Sequence, residues 1–151
     1  MEQTARRIRK ILIIDDDMDD YILLKEAMKK VDESVSINYI NSCEEIPKYK
    51  GQQFDLLLLD INMPKYDGFV WLKGIREKGY HSLPIVMYTN SQSPANMRRA
   101  YSEGANLYFP KPETFTELIN SLKTLLSLDW SHPPEITSKY SSNGAFTGFT
   151  N

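Results

Sequence analysis

The chain has 151 residues, of which 41% are hydrophobic and 25% are charged, and its formal net charge is −2. This length and composition fit one folded domain and exclude a disordered chain, and no apolar run approaches the roughly 18 residues that a membrane-spanning helix needs. Between residues 11 and 130 acids outnumber bases by 18 to 13, which argues against a nucleic-acid-binding surface.

Strand-length apolar segments alternate along the chain with segments of helical periodicity. Residues 11–14 predict a buried strand, and a helix is expected from about Met18, with apolar side chains three and four positions apart. Alternating apolar and polar residues over 35–39 predict an edge strand, and a weak pattern at residues 44–49 indicates a short helix. Residues 54–59 give the strongest strand prediction.

Residues that begin and end helices divide the second half of the chain. Ser93 before Pro94, and Thr114 three residues before Glu117, have the spacing of helix N-caps. Two glycines are suited to end helices. The predicted elements are a helix from Phe69 to Gly79, a strand over 84–88, a helix from Pro94 to Gly104, a strand over 106–109 and a helix from Phe115.

Strict alternation of strands and helices predicts an α/β fold in which helices cover both faces of a parallel sheet. In such folds ligands bind at the edge where the carboxyl ends of the strands meet. Polar residues follow four of the predicted strands, and we expect all of them at that edge. They are Asp15 and Asp16, then Asp60, Thr89 and Lys111.

The three aspartates at this edge predict a cation site. Carboxylates that lie together repel one another unless a cation compensates their charge. Hard oxygen ligands suit Mg²⁺, which in proteins often binds one or two carboxylates together with phosphate oxygens. A carboxylate can also attack phosphorus and form an aspartyl phosphate, while the metal, a lysine and a hydroxyl stabilise the transferred group.

Several segments together resemble the receiver domain of two-component response regulators, over about residues 10–128. They are residues 11–16, residues 59–64 with the Asp67-Gly68 turn, Thr89, and Lys111-Pro112. The resemblance implies a (βα)5 fold, in which a doubly wound five-stranded parallel sheet has the flavodoxin-like strand order 2-1-3-4-5. It also implies a phosphorelay protein that accepts a phosphoryl group and changes its protein-binding surface.

The resemblance assigns roles to the acidic residues. Asp60 is implied to be the phosphoacceptor. Asp16, Asp60 and the backbone carbonyl of Asn62 are implied to bind Mg²⁺ directly, and Asp15 through water. We expect the additional acids Asp17, Asp19 and Asp20 to form the first turn of the first helix, where the helix dipole favours negative charge, and to attract Mg²⁺ slightly.

The resemblance also implies the parts of a switch. Thr89 and Lys111 contact the phosphoryl oxygens, the Lys111-Pro112 peptide bond is cis, and Tyr108 rotates into space that opens behind Thr89 after phosphorylation. The output surface then comprises the fourth helix, the fifth strand and the fifth helix. Asn90 departs from the family pattern, which has a small residue at that position, and we expect its larger polar side chain to change the rate of phosphoryl turnover.

The expected partners are proteins, and the expected location is the cytoplasm. The resemblance implies a sensor histidine kinase, including the phytochrome type, or a histidine phosphotransfer protein as donor, a downstream protein target, and a homodimer through the output surface as a candidate assembly. We expect a basic extension (residues 1–9), a receiver (10–129) and a flexible tail (130–151) too short for an output domain. We therefore expect a single-domain regulator that signals by binding and catalyses only its own phosphorylation and dephosphorylation.

Three alternatives compete with this interpretation. The acids from Asp15 to Glu26 have the spacing of a calcium-binding EF-hand loop, although Asp20 replaces the required glycine. Asp15 and Asp17 have the spacing of the two acids in haloacid dehalogenase-like phosphohydrolases, but this leaves residues 60–64 unexplained. A pseudo-receiver that only binds partners has no evident need for the complete set of charged residues.

Overall fold

The computed structural model describes residues 7–41, 54–63 and 67–141. The described strands are β1 (Lys10–Ile14), β2 (Ser36–Ile40), β3 (Leu56–Leu59), β4 (Ile85–Thr89) and β5 (Leu107–Pro110). The described helices are α1 (Met18–Val31), α2 (Gly68–Glu77), α3 (Pro94–Ser102), α4 (Phe115–Ser127) and α5 (Pro133–Ser141). The helix predicted at residues 44–49 lies outside the described residues, so α3 and α4 correspond to the fourth and fifth predicted helices.

The described strands form one parallel sheet with the order β2-β1-β3-β4-β5. Strand β1 lies between β2 and β3, with Ile13 in register with Tyr39 on one side and with Leu58 on the other. The predicted α/β fold and its strand order 2-1-3-4-5 are confirmed. Because all strands run in the same direction, the residues that follow them lie at one edge of the sheet.

Helices cover both faces of the sheet, because successive side chains of a strand point to opposite sides. Ile11 and Ile13 belong to a core with residues of α1 and α4, whereas Leu12 and Ile14 belong to a second core with residues of α2 and α3. Strands β3 and β4 are buried at every position, which explains their continuous apolar sequences. No helix in the described ranges is both long and apolar enough to cross a bilayer.

Side chains next to the helices fix where the helices begin and end. Ser93 and Thr114 accept hydrogen bonds from backbone N–H groups of α3 and α4, and Asp17 and Asp67 do the same for α1 and α2. Gly79 follows α2 with a φ of +96°, a conformation that side chains with a Cβ rarely adopt. The caps and the stop predicted from the sequence are therefore present.

The flexible tail predicted for residues 130–151 is wrong for residues 130–141. Trp130 is fully buried and its Nε1 donates a hydrogen bond to the Leu125 carbonyl at 2.9 Å. Helix α5 follows, with Ile136 buried in the core and the Thr137 hydroxyl donating to the Asn106 carbonyl at 2.9 Å. The prediction failed because this segment is polar overall, although its few apolar side chains are sufficient to pack one helix against the domain.

Candidate functional site

The carboxyl edge of the sheet brings together the polar residues predicted there. Asp15 directly follows β1, and the Asp60 N–H donates to the Ile14 carbonyl at 3.0 Å, which joins the ends of β1 and β3. Thr89 is the last residue of β4, and its carbonyl accepts a hydrogen bond from the Lys111 N–H at 2.7 Å. Backbone pairing of neighbouring strands therefore sets the positions of these side chains.

Three carboxylates form a group that fits a hard cation. One oxygen from each of Asp15, Asp16 and Asp60 lies within 4.8 Å of the others. Asp15 and Asp60 are buried, whereas Asp16 is exposed. Asp60 Oδ1 is buried and has no hydrogen-bond partner among the described residues. A buried oxygen without a partner is energetically costly, and a divalent cation with oxygen ligands would compensate both that oxygen and the repulsion among the carboxylates.

Lys111 supplies the positive charge within this group. Its Nζ lies 2.7 Å from Asp15 Oδ2, 2.6 Å from Asp20 Oδ2 and 3.7 Å from Asp60 Oδ2. The side chain is only 6% exposed, and the ring of Tyr88 lies beneath the ammonium group, 5.4 Å from its centroid. Lys111 is therefore held in place by two carboxylates and one aromatic face.

Burial and charge shift the pKa values of these groups. Burial raises the pKa of Asp15 to about 6, although hydrogen bonds from Lys111 and the Asp17 N–H act in the opposite direction. Burial also raises the pKa of Asp60, and the Lys111 charge opposes this effect. Burial alone lowers the pKa of Lys111, but hydrogen bonds to Asp15 and Asp20, together with the negative charges of Asp60 and Asp15, outweigh it and raise the pKa. The site therefore contains a charged lysine and carboxylates that need positive charge.

Gly68 lets α2 begin directly against the backbone of Asp60. A Cβ at position 68 would lie 2.1 Å from the Asp60 carbonyl oxygen, far inside van der Waals contact. The Gly68 N–H also donates to the Ile61 carbonyl at 2.8 Å. The sequence pattern identified this glycine only as part of a turn, whereas the structure shows that it shapes the segment that carries Asp60.

Thr89 and Tyr108 are linked through the backbone of Ser91. The Ser91 N–H donates to Thr89 Oγ1 at 3.3 Å, and the Tyr108 hydroxyl donates to the Ser91 carbonyl at 2.8 Å. Tyr108 is fully buried. In this conformation the Tyr108 ring already fills the interior and its hydroxyl already has an acceptor, and its rotation after phosphorylation stays a prediction.

Two further observations differ from the expectations. There is no cis peptide bond among the described residues, so the Lys111-Pro112 bond is trans, the form that X–Pro bonds favour by about 0.5–1 kcal/mol. Asp20, expected to lie in the first turn of the first helix and to attract Mg²⁺ slightly, contacts Lys111. The neighbouring sequence does not distinguish Asp20 from Asp17 and Asp19. The contact that sets Asp20 apart is with a residue 91 positions away in the chain.

The structure also bears on two of the alternatives. An EF-hand loop would extend from Asp15 to Glu26, but residues from Met18 onwards form the helix α1. A phosphohydrolase would use Asp15 as nucleophile and Asp17 as the second acid. Asp17 instead caps α1, where its side chain accepts a hydrogen bond from the Asp19 N–H, and it lies outside the carboxylate group of Asp15, Asp16 and Asp60. Neither arrangement fits the geometry.

Comparisons with known proteins found similarity over most of the chain. The family model described as the response regulator receiver domain matches residues 11–123. The transcriptional regulatory protein CpxR of Escherichia coli K12 is 33% identical over 119 residues, which make up 79% of this chain and 50% of CpxR. The chain therefore spans about half the length of the curated relatives that it matches.

Solved structures of response regulators are also similar to this chain. A two-component response regulator from Clostridium difficile is 32% identical with a TM-score of 0.65, and the match covers 78% of this chain and 95% of that one. The Mn²⁺-bound form of the response regulator Rcp1 matches with a TM-score of 0.68 over 80% of this chain and 93% of that one. Its identity of 23% supports the fold alone.

Proposed function

The chain belongs to the response regulator receiver family, and we propose that Asp60 accepts a phosphoryl group in a Mg²⁺-dependent reaction. The observation that supports this most strongly is the convergence of charges at one sheet edge. Lys111 Nζ lies 3.7 Å from Asp60 Oδ2, and the three carboxylates lie within 4.8 Å of one another. The proposed donor is a sensor histidine kinase or a histidine phosphotransfer protein, as in the family.

Asp60 supplies the nucleophile of the proposed reaction. One of its oxygens attacks phosphorus, the phosphorus–nitrogen bond of the donor phosphohistidine breaks, and the electron pair of that bond returns to the imidazole nitrogen. Water later attacks the aspartyl phosphate, which restores the carboxylate and releases phosphate. The protein catalyses only these two reactions at its own side chain.

The neighbouring groups stabilise the charge of the phosphoryl oxygens. The proposed Mg²⁺ ligands are Asp16, Asp60, the Asn62 carbonyl and, through water, Asp15. The metal supplies positive charge to the phosphoryl oxygens when it is bound. The Lys111 ammonium group provides a second positive charge, and the Thr89 hydroxyl can donate a hydrogen bond to a phosphoryl oxygen.

The proposed output is a change in a protein-binding surface. Tyr108 and Ser91 join the Thr89 region to β5 and to the loop before α3, so a change at Thr89 reaches this face. The candidate homodimer interface comprises α3, β5 and α4. Helix α5 lies against α3 and β5, so a dimer through this face either includes α5 or displaces it. The acidic body of the chain favours protein partners over nucleic acid.

A labelling experiment tests the proposed acceptor. The protein is incubated with acetyl phosphate and Mg²⁺, and the phosphorylated residue is identified by trapping and mass spectrometry. We expect one phosphoryl group on Asp60 and none in Asp60→Asn. The matched control is Asp67→Asn, which removes an acid from the same segment but keeps an N-cap side chain for α2, so this variant should be labelled like the unmodified sequence.

Two outcomes would contradict the proposal. Labelling of Asp15 instead of Asp60 would support the phosphohydrolase alternative. No labelling, together with no effect of Mg²⁺ on thermal stability, would support a pseudo-receiver that acts only by binding.

A further inference from the structure

We propose that Asp20 is a positioning residue for Lys111. It draws the ammonium group away from Asp60 and so weakens the interaction of Lys111 with a phosphoryl group on Asp60. This inference rests on the proposed function, because it concerns the same lysine and the same acceptor. It adds a residue from the first turn of α1 to a site otherwise formed by the ends of the strands and the residues that follow them.

The distances show which carboxylates the Lys111 ammonium group contacts most closely. Lys111 Nζ lies 2.6 Å from Asp20 Oδ2 and 2.7 Å from Asp15 Oδ2, but 3.7 Å from Asp60 Oδ2. The first two are charge-assisted hydrogen bonds, whereas the third exceeds hydrogen-bond length. The lysine side chain is only 6% exposed, so water screens these contacts weakly. Lys111 is therefore bound more closely by the two other carboxylates than by the acceptor.

Asp20 differs from Asp15 in its other contacts. Asp15 belongs to the carboxylate group that fits a cation, and a bound metal would compensate its charge. Asp20 is outside that group, and among the described residues its ion pair is with Lys111. Asp20 is therefore the carboxylate that continues to compete for Lys111 when the site is loaded.

The position of Asp20 is set by the helix and not by the site. Its N–H donates to the Asp17 carbonyl at 3.2 Å in the first turn of α1, and its side chain is 21% exposed. The helix keeps this carboxylate beside Lys111 whether or not Asp60 carries a phosphoryl group. When the charge of Asp20 is removed, the Lys111 ammonium group is attracted less strongly towards α1 and can move closer to Asp60.

Asp19 provides a matched control. It lies in the same first turn of α1, carries the same charge and is exposed. Its side chain makes none of the contacts to Lys111, which come from Asp15, Asp20 and Asp60 within the described part of the chain. Asp19→Asn and Asp20→Asn therefore remove the same charge from the helix terminus, and only the second removes a counter-ion of Lys111.

The test measures the dissociation constant of beryllofluoride, a phosphoryl analogue, by calorimetry at saturating Mg²⁺. We expect Asp20→Asn to bind about three- to tenfold more tightly than the unmodified protein, and Asp19→Asn to differ from it by less than about twofold. Asp20→Ser repeats the charge removal with a different side chain. When Lys111→Met is added to either Asn variant, we expect the two dissociation constants to become equal.

The outcomes separate this inference from the proposed function. If the unmodified protein does not bind beryllofluoride, both are overturned. If it binds, but Asp20→Asn and Asp20→Ser bind no more tightly than Asp19→Asn, the inference alone is overturned. A difference between Asp20→Asn and Asp19→Asn that persists after Lys111→Met would also overturn it, because the effect would then not act through the lysine.

Discussion

The Tyr108 hydroxyl donates a hydrogen bond of 2.8 Å to the Ser91 carbonyl, and the tyrosine ring is fully buried. This bond fixes the loop between β4 and α3 to the central part of β5. Since the Ser91 N–H also donates to Thr89 Oγ1, one residue of the loop contacts both members of the proposed switch. The loop thus connects the acceptor region to the face formed by α3 and β5.

Removing the Tyr108 hydroxyl should weaken this connection. We expect Tyr108→Phe to lower the free energy of unfolding by about 1–2 kcal/mol, because the Ser91 carbonyl loses its donor while the ring remains in the core. Urea unfolding measures this effect, and hydrogen exchange should increase at Ser91. The control is Tyr80→Phe at a ring that is 45% exposed, for which we expect a change within about 0.5 kcal/mol. Equal stability of the two variants would contradict the role of the hydroxyl.

Two glycines of α2 should respond to alanine with opposite signs. A Cβ at Gly68 would meet the Asp60 carbonyl oxygen at 2.1 Å, whereas a Cβ at Gly74 would meet nothing within 4 Å. We expect Gly68→Ala to destabilise the protein by about 1–3 kcal/mol through overpacking, and Gly74→Ala to stabilise it by about 0.5–1 kcal/mol through helix propensity. Denaturant midpoints of both variants check this, and an unchanged stability of Gly68→Ala would contradict the close approach.

Mg²⁺ should stabilise the folded protein through the carboxylate group. At a metal concentration of a hundred times the dissociation constant, binding to the folded state alone contributes about 2.7 kcal/mol. We expect a rise in Tm on addition of Mg²⁺ that EDTA reverses and that Asp16→Asn reduces. Asp19→Asn is the control, since Asp19 is an acid nearby that lies outside the group. A rise in Tm that is equal in all three proteins would place the metal elsewhere.

The sequence predicted the features of the fold and site that depend on local patterns. Strand lengths, the caps at Ser93 and Thr114 and the set of residues at the sheet edge follow from periodicity and from the geometry of parallel sheets. The contact between Asp20 and Lys111 could not be predicted in this way, because it joins residues 91 positions apart. In the sequence, Asp17, Asp19 and Asp20 are close neighbours with the same side chain, so the sequence alone does not show which of them contacts the lysine. Only the packing of α1 against the sheet selects Asp20.

Helix α5 should contribute to stability mainly through the buried side chain of Ile136. Ile136 is 6% exposed and belongs to the core that contains Trp130, Leu118 and Leu122. We expect Ile136→Ala to lower the free energy of unfolding by about 2–4 kcal/mol, because it removes buried methyl groups and leaves a cavity. Urea unfolding followed by tryptophan fluorescence measures this, and Trp130, which is buried beside α5, should report any detachment as a red shift of its emission.

The control for this prediction lies on the opposite side of the same helix. Ser138 is exposed, so Ser138→Ala should change stability by less than about 0.5 kcal/mol. If Ile136→Ala were equally neutral, α5 would not be bound to the domain in solution. The face of α3 and β5 that α5 contacts would then be available to a partner without displacement of the helix. A large effect of Ile136→Ala instead means that a partner using this face must either contact α5 or compete with it.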